Sequence, residues 1–179
     1  LAQGPHDQRS YDMSLEYYFG RAGSASLAAF LKKPDGFMYY SGEVEYVDQL
    51  GTDATVFQLR NAGPGEFRGY EFSVQSFFDF LPGKWSNFGA SANFTYLDRY
   101  QIKYPFSEEE AQIPGIYDAP GTSKSTMNLA LYYDTPKFSA RLAYNQRSKR
   151  KDFVWTEQPA YSPYTMETSR LDAGLNYTP

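Results

Sequence analysis

Side chains that could carry out catalysis are scarce in this sequence of 179 residues. It contains no cysteine, and its one histidine, His6, lies close to the first residue. Thiolate nucleophiles and cysteine metal sites are therefore excluded, and a histidine-based triad or multi-histidine metal centre is not expected. No glycine-rich phosphate loop opens a helix, and no general base suited to neutral pH stands out. We predict no catalytic site, no metal site and no cofactor, so the protein is not expected to be an enzyme.

Charged residues gather in two places where binding is conceivable. Glu108–Glu110 offers the carboxylate oxygens that hard cations prefer, but consecutive side chains point in different directions, which favours a solvated loop. Arg147, Lys149, Arg150 and Lys151 could donate charge-assisted hydrogen bonds to phosphate groups, and a solvated rim is the equal alternative. The net charge of −4 supplies no basic field for nucleic acid, which we exclude as a partner.

Aromatic side chains follow the basic cluster closely. Trp155, Tyr161 and Tyr164 could stack on a sugar or another flat ligand, although a packed loop is the favoured alternative. The aromatic content of the whole chain is 18%, with 17 Tyr and 14 Phe. His6, in contrast, is expected to be solvated. Basic and aromatic residues at 147–161 are therefore the candidates for an external rim.

The elements that position these residues are β-strands, because apolar and polar residues alternate along the chain. From Tyr11 to Phe19, apolar side chains occupy every second position, with Asp12, Ser14 and Glu16 between them. The same alternation recurs in six further segments: 25–40 (interrupted at Pro34-Asp35-Gly36), 70–80, 88–96, 126–133, 138–145 and 170–177. The sequence thus predicts an all-β, antiparallel up-and-down meander of about seven long strands.

Connections between these segments alternate between short and long. The short ones lie at 20–23, 81–84 and 134–137, and the long polar ones at roughly 41–55, 103–121 and 154–166. Short turns at one end and long loops at the other are typical of outer-membrane barrels. Aromatic residues also gather beside the short turns, as in the girdles of membrane barrels. We therefore predict that the apolar strand faces contact lipid.

The polar strand faces carry Ser, Thr, Asn and Gly with a few charges, fewer than a water-washed exterior usually carries. A soluble lipocalin-like carrier with its apolar face inward is the alternative, since its strands alternate in the same way. Inward-facing charged and amide side chains could line a transport path, or could simply satisfy one another and internal water. These candidates are Glu16, Glu71, Asn93, Arg141, Asn145, Arg170 and Asp172.

Several segments resemble the barrel of TonB-dependent receptors, and most closely those of Xanthomonas- and Caulobacter-type bacteria. The resemblance rests on Tyr11–Gly20 and the Ser-x-Ser-Leu-Ala-x-Phe segment after it, on Gly69–Gly83, on Phe88–Tyr96, and on Ala143–Asn145 with Arg147-Ser148. It extends from about residue 10 to the end of the chain. The family's lead-in before the first strand is not found in Leu1–Arg9, and Gln146 and Arg150 stand where the family often has an aromatic residue.

The resemblance implies a segment of a twenty-two-stranded transmembrane barrel in the outer membrane of a Gram-negative bacterium. It implies active uptake of a scarce nutrient, such as a siderophore or a saccharide, energised by the TonB complex. Residues 1–179 would form part of the barrel domain, without the plug, the TonB-binding segment and the last strands. The implied partners are outer-membrane lipid and lipopolysaccharide, the small nutrient, and the TonB complex through the missing N-terminal region.

Two other classes of protein stay open. A complete small barrel of about eight strands, acting as a membrane anchor or adhesin, would fit this length. The lipocalin-like carrier differs in that it would fold in plain buffer, whereas a membrane barrel requires detergent. An outer-membrane hydrolase is disfavoured, because its chemistry usually requires a histidine within the barrel wall.

Overall fold

The computed structural model describes residues 7–20, 22–104, 116–154 and 161–179. These residues form twelve β-strands and one short 3-10 helix, at Gly83–Asn87. In chain order the strands are β1 (Gln8–Phe19), β2 (Gly23–Pro34), β3 (Phe37–Val47), β4 (Thr52–Ala62), β5 (Gly65–Phe77), β6 (Phe88–Lys103), β7 (Ile116–Asp118), β8 (Ser125–Asp134), β9 (Phe138–Arg147), β10 (Arg150–Lys151), β11 (Tyr164–Thr165) and β12 (Thr168–Tyr177). No helix within these ranges has the length and apolar character needed to cross a membrane.

Seven long strands form one antiparallel sheet in the order β1-β2-β5-β6-β8-β9-β12, and β7 adds a short pairing with β6. Their lengths run from 10 residues in β8 to 16 in β6. Strands of soluble domains are usually about 5–6 residues long. The predicted meander of about seven long strands is confirmed.

The first long connection is a β-hairpin rather than a polar loop. β3 and β4 pair with each other from Phe37 with Ala62 to Val47 with Thr52, as a sheet of their own. The prediction of one strand over 25–40 followed by a loop over 41–55 was therefore wrong. Pro34 lacks the backbone N–H that a continued strand would donate, so β2 ends there and a new strand begins after Gly36.

The short connections also differ in detail from the prediction. β5 ends at Phe77 rather than at residue 80, so the link to β6 spans 78–87 and includes the 3-10 helix. Gly20 and Gly83 have φ of 58° and 61°, the left-handed region that glycine enters without strain. These links, with that at 135–137, lie at one end of the sheet, and β3–β4, β7 and β10–β11 lie beyond the other end.

Successive side chains of each long strand point to opposite faces of the sheet, and the cross-strand register shows which side chains of neighbouring strands share a face. We call the face that carries Leu15, Val74, Leu129 and Leu175 the apolar face, and the opposite one the polar face. Leu15 is 73% exposed and Leu175 is 78% exposed, so none of the residues that the structure describes forms a layer over these side chains. The large side chains on the apolar face are thus presented outward.

A bulge in β6 changes which face its later side chains occupy. The register of β5 with β6 shifts by one residue next to Gly69, and Asp98 is the additional residue. Strict alternation would place Tyr100 and Ile102 on the apolar face with Tyr96. Because of the bulge, they lie on the polar face.

The buried core lies at the end of the sheet with the long connections. Ile102 and Tyr104, from β6 and the residue after it, are the largest fully buried side chains. Phe37, Phe67 and Tyr100 pack against this core at its edge. Its buried members are Ala62, Ile102, Tyr104, Tyr117, Ala119 and Val154. The bulge in β6 and the long connections therefore build this core together.

Candidate functional site

A row of polar side chains crosses all seven long strands. Asn93 of β6 lies at its centre, directly opposite Ser73 of β5 and Asn128 of β8. The row continues through direct pairings on both sides. Its members, in sheet order, are Glu16, Ser26, Ser73, Asn93, Asn128, Asn145 and Arg170. We call this the polar row; it contains four of the seven residues that the sequence assigns to a transport path.

The other three candidates share the face of the polar row. Glu71 lies one row toward the long connections, because it pairs with Thr95. Asp172 and Arg141 lie toward the short links, and Asp172 accepts a hydrogen bond of 2.7 Å from Nε of Arg170. The structure thus brings all seven candidates to one face. That this face lines a transport path stays a prediction.

On the polar face, near the short links, the ring of Tyr132 lies over Gly89 of the neighbouring strand. A Cβ built on Gly89 would overlap the Tyr132 ring, and Gly89 is buried beneath that ring. The Tyr132 hydroxyl donates to the carbonyl oxygens of Ser76 at 3.3 Å and Ala90 at 3.4 Å, and Phe77 meets the ring edge-on. Sequence reasoning missed this contact, whose one signal was a glycine within a regular strand.

An aromatic cluster lies beside the short links on the apolar face. Phe88 stacks on Trp85 with ring centroids 5.6 Å apart and meets Tyr133 at 4.8 Å. Tyr133 in turn lies 6.2 Å from Phe138. Trp85 is 63% exposed, so these rings are available to the surroundings. The predicted gathering of aromatic residues beside the short turns is thus found at the links 78–87 and 135–137, and also at the end of β1, where the Tyr17 and Phe19 rings stack with centroids 5.8 Å apart.

The predicted rim residues do not form one outward patch. Arg147 pairs with Thr126 and therefore points to the polar face. Lys151 is 8% exposed, and its ammonium lies 5.0 Å from the ring of Tyr117 and 5.4 Å from that of Tyr164. The Lys151 ammonium thus binds to aromatic rings of the same chain rather than pointing into solvent.

The remaining rim candidates lie near the same rings or at the surface. Lys149 lies over the Tyr164 ring at 5.7 Å, and Nε of Arg150 approaches Asp152 at 3.5 Å. Tyr161 is 78% exposed. Trp155, the Glu108–Glu110 run and His6 lie outside the described residues.

Tyr100 joins β6 to β7 on the polar side of the core. Its hydroxyl donates to the Asp118 carboxylate at 3.2 Å, and its backbone oxygen accepts from the Ala119 N–H at 2.7 Å. Burial, and after it the charge of Asp118, raise the pKa of Tyr100 to about 12. The neutral phenol is therefore the form that holds the long connection against β6. Sequence reasoning missed this contact, because it depends on the bulge.

Comparison with known proteins identifies the fold. The family model for the β-barrel of TonB-dependent receptor-like proteins matches residues 7–179. The chain belongs to this family. The long strands of this chain are therefore strands of a β-barrel. The family match does not extend to a bacterial group, so the resemblance to the Xanthomonas and Caulobacter type stays a prediction. No relative was found among curated proteins.

Solved structures of siderophore receptors share this fold. A mutant of the ferric enterobactin receptor PfeA from Pseudomonas aeruginosa matches with a TM-score of 0.63 at 14% identity, over 97% of this chain and 24% of that chain. Another PfeA mutant, in complex with enterobactin, has a TM-score of 0.62 at 15% identity, over 96% and 24%. The siderophore receptor PirA from Acinetobacter baumannii has 0.57 at 15%, over 95% and 25%. The chain thus spans about a quarter of their length.

Proposed function

We propose that this chain forms part of the wall of an outer-membrane receptor that takes up a scarce nutrient. The observation that carries the proposal is the separation of two faces across seven strands in register. The polar row runs along one face, and exposed leucines occupy the other. The polar face would border a water-filled lumen, and the apolar face would contact acyl chains.

The placement of exposed apolar side chains supports contact with lipid. Each Å² of apolar surface left in water is unfavourable by about 25 cal/mol. Large apolar side chains in β1, β8, β9 and β12 share this exposure, which a soluble domain would cover with a second layer. Lipid removes the same surface from water without another protein element. A lipocalin-like carrier would instead enclose these side chains.

The orientation follows from the lengths of the connections. Short links face the periplasm in outer-membrane barrels, and long connections face the outside. The cluster around Trp85 and Phe88 would then lie at the periplasmic interface, and the core around Ile102 and Tyr104 would lie outside the membrane. The contact between Tyr100 and Asp118 would stabilise an external segment.

The family resemblance indicates which part of the receptor this chain would form. A plug domain and a TonB-binding segment, both outside residues 1–179, would couple uptake to the inner-membrane TonB complex. This chain would supply wall, lumen lining and external connections. Within this sheet, β1 and β12 each pair with one long strand and leave one edge for further barrel strands.

The nutrient class that we propose is a ferric siderophore. The support is that the similar solved structures are named as ferric enterobactin and siderophore receptors. At 14–15% identity this likeness concerns the fold.

The test is uptake of radioactive iron, bound to a catecholate siderophore, by iron-starved source cells with and without the gene for this protein. Loss of uptake in the deletion strain, restored by the gene and abolished by a protonophore, is the expected result. Cobalamin and a labelled saccharide serve as parallel substrates. Uptake of one of these alone would reject the siderophore class. Unchanged uptake of all three would reject the transporter.

A further inference from the structure

A polar cleft lies on the polar face where β8, β9 and β12 approach the long connections. Its volume is about 560 Å³. The side chains of this face that line it come from two neighbouring rows. They are Thr126, Arg147 and Thr168 in the outer row, and Asn128, Asn145 and Arg170 in the polar row. We call this cleft the arginine cleft.

The two arginines of the cleft are close neighbours on adjacent strands. Arg147 of β9 lies directly opposite Thr168 of β12, and Arg170 is two residues further along β12 on the same face. Residues in such diagonal positions are about 7–8 Å apart. Because the arginine side chain is long, both guanidinium groups can donate to one ligand between them. The cleft therefore offers two fixed positive charges to a single small ligand.

Carboxylates leave most of this positive charge uncompensated. Nε of Arg170 donates to Asp172 at 2.7 Å, which leaves the two Nη groups of Arg170 available. Arg147 forms no ion pair with any residue that the structure describes. The amide groups of Asn128 and Asn145 add neutral donors. A ligand suited to this cleft brings negative charge and several acceptor oxygens.

The opposite side of the same sheet carries the opposite charge. From the polar row toward the long connections, β1, β2 and β5 carry three carboxylates and one ammonium on the polar face, a local charge of −2. These are Asp12, Glu16, Glu71 and Lys32. Over the same rows, the two arginines of the cleft give β9 and β12 a local charge of +2. An anion beside this face is attracted to the arginine cleft and repelled from the β1–β5 side.

We infer that the arginine cleft binds oxyanion groups of the nutrient, and that the nutrient is therefore a negatively charged chelate rather than an uncharged one. The inference rests on the proposed function, which makes the polar face part of the lumen wall. Guanidinium groups bind negatively charged oxygen atoms through charge-assisted hydrogen bonds. With the long connections outside, the cleft lies toward the external end of the lumen, where an entering anion reaches it first.

The sequence assigned the residues of this cleft to two different sites. Arg147 was a rim candidate for lipopolysaccharide phosphates, whereas Asn145 and Arg170 were candidates for a transport path. Alternation alone does not show that they are neighbours, because Arg147 lies at the very end of β9. The register of β9 with β12 brings the three side chains to one cleft.

The first experiment measures binding of inorganic pyrophosphate to the receptor extracted from the outer membrane in detergent, by the broadening of its phosphorus NMR signal. The test variant is Arg147→Gln with Arg170→Gln. The matched control is Arg68→Gln with Arg99→Gln, which removes the same charge from the apolar face. We expect the dissociation constant to rise about tenfold or more in the test variant, because charge-assisted hydrogen bonds are lost. The control should bind as the unchanged receptor does.

A lysine variant separates the contribution of charge from that of the guanidinium group. Arg147→Lys with Arg170→Lys keeps both charges and should recover part of the affinity. Equal affinity of the unchanged receptor and the glutamine test variant would overturn the inference. A carboxylate of the plug seated in the cleft would give that result, because it would exclude pyrophosphate from both. Equal weakening by the apolar-face control would overturn the inference too.

The second experiment measures uptake of radioactive iron from a negatively charged tris-catecholate complex by cells that carry each variant. We expect KM to rise about tenfold in the glutamine test variant with little change in the maximal rate, because the lost interaction contributes to binding. The apolar-face control should keep the KM of the unchanged receptor. An unchanged KM in the test variant would overturn the assignment of the cleft to the nutrient.

The anion site and the proposed uptake fail independently. Pyrophosphate binding requires no siderophore, no TonB complex and no energy source. Binding that depends on both arginines, in a receptor that takes up none of the three substrates, would reject the proposed uptake and retain the anion site. Iron uptake with the same KM in every variant would retain the proposed function and overturn the inference.

Discussion

Tyr132 shows how a single glycine shapes the polar face. Its ring lies over Gly89, and its hydroxyl donates to two backbone oxygens that β5 and β6 contribute. Because Gly89 has no side chain, the Tyr132 ring fits against its backbone and covers it. Such a pair fixes the register of three adjacent strands at one point.

Gly89→Val should lower the free energy of unfolding by about 1–3 kcal/mol, because the added carbon atoms overlap the Tyr132 ring. Urea unfolding of the receptor in lipid vesicles, followed by tryptophan fluorescence, measures the change. Gly174→Val is the matched control, since a Cβ there has no neighbour within 4 Å. Adding Tyr132→Ala to Gly89→Val should restore part of the loss. Equal effects of the two glycine substitutions would refute the role of Gly89.

At the scale of the elements, alternation was sufficient to locate the seven strands of the main sheet, because side chains of a regular element alternate with a period of two only in a β-strand. It failed where a strand departs from that period. The bulge at Asp98 places Tyr100 and Ile102 on the opposite face from the one that their spacing indicates. The β3–β4 hairpin was missed because Gly51 and the carboxylates within residues 41–55 were interpreted as a polar loop.

Deleting Asp98 should remove the bulge without reversing the side chains that follow, because Asp98 is the residue of β6 that has no partner in the register with β5. Ile102 and Tyr104 should therefore stay in the core. Deleting Gln101, which does have a partner in β5, should instead move Ile102 to the apolar face and open the core. We expect residues 116–124 to become accessible to protease in intact cells in the Gln101 deletion and not in the Asp98 deletion, as measured by limited proteolysis followed by mass spectrometry. Cleavage of both variants alike would contradict the role of the bulge.

For the molecule as a whole, the sequence predicted which residues share a face but not which of them are neighbours. Alternation within β1, β5, β6, β9 and β12 was enough to place the seven transport-path candidates on one side. Their alignment into the polar row depends on the offset between strands, which the links between them determine. The core at the external end escaped prediction, since it joins residues of β4, β6, β7 and the β10 region.

The assignment of the two faces can be tested at adjacent positions in the middle of β8. Leu129→Arg puts a charge on the apolar face, and Asn128→Arg puts the same charge on the polar face. If the apolar face contacts lipid, the first should lower the free energy of unfolding by about 2–4 kcal/mol near the membrane midplane, and the second should change it little. Urea titration in lipid vesicles compares the two. A larger loss for Asn128→Arg would mean that the polar face is the one excluded from water, and the proposed orientation of the barrel would have to be abandoned.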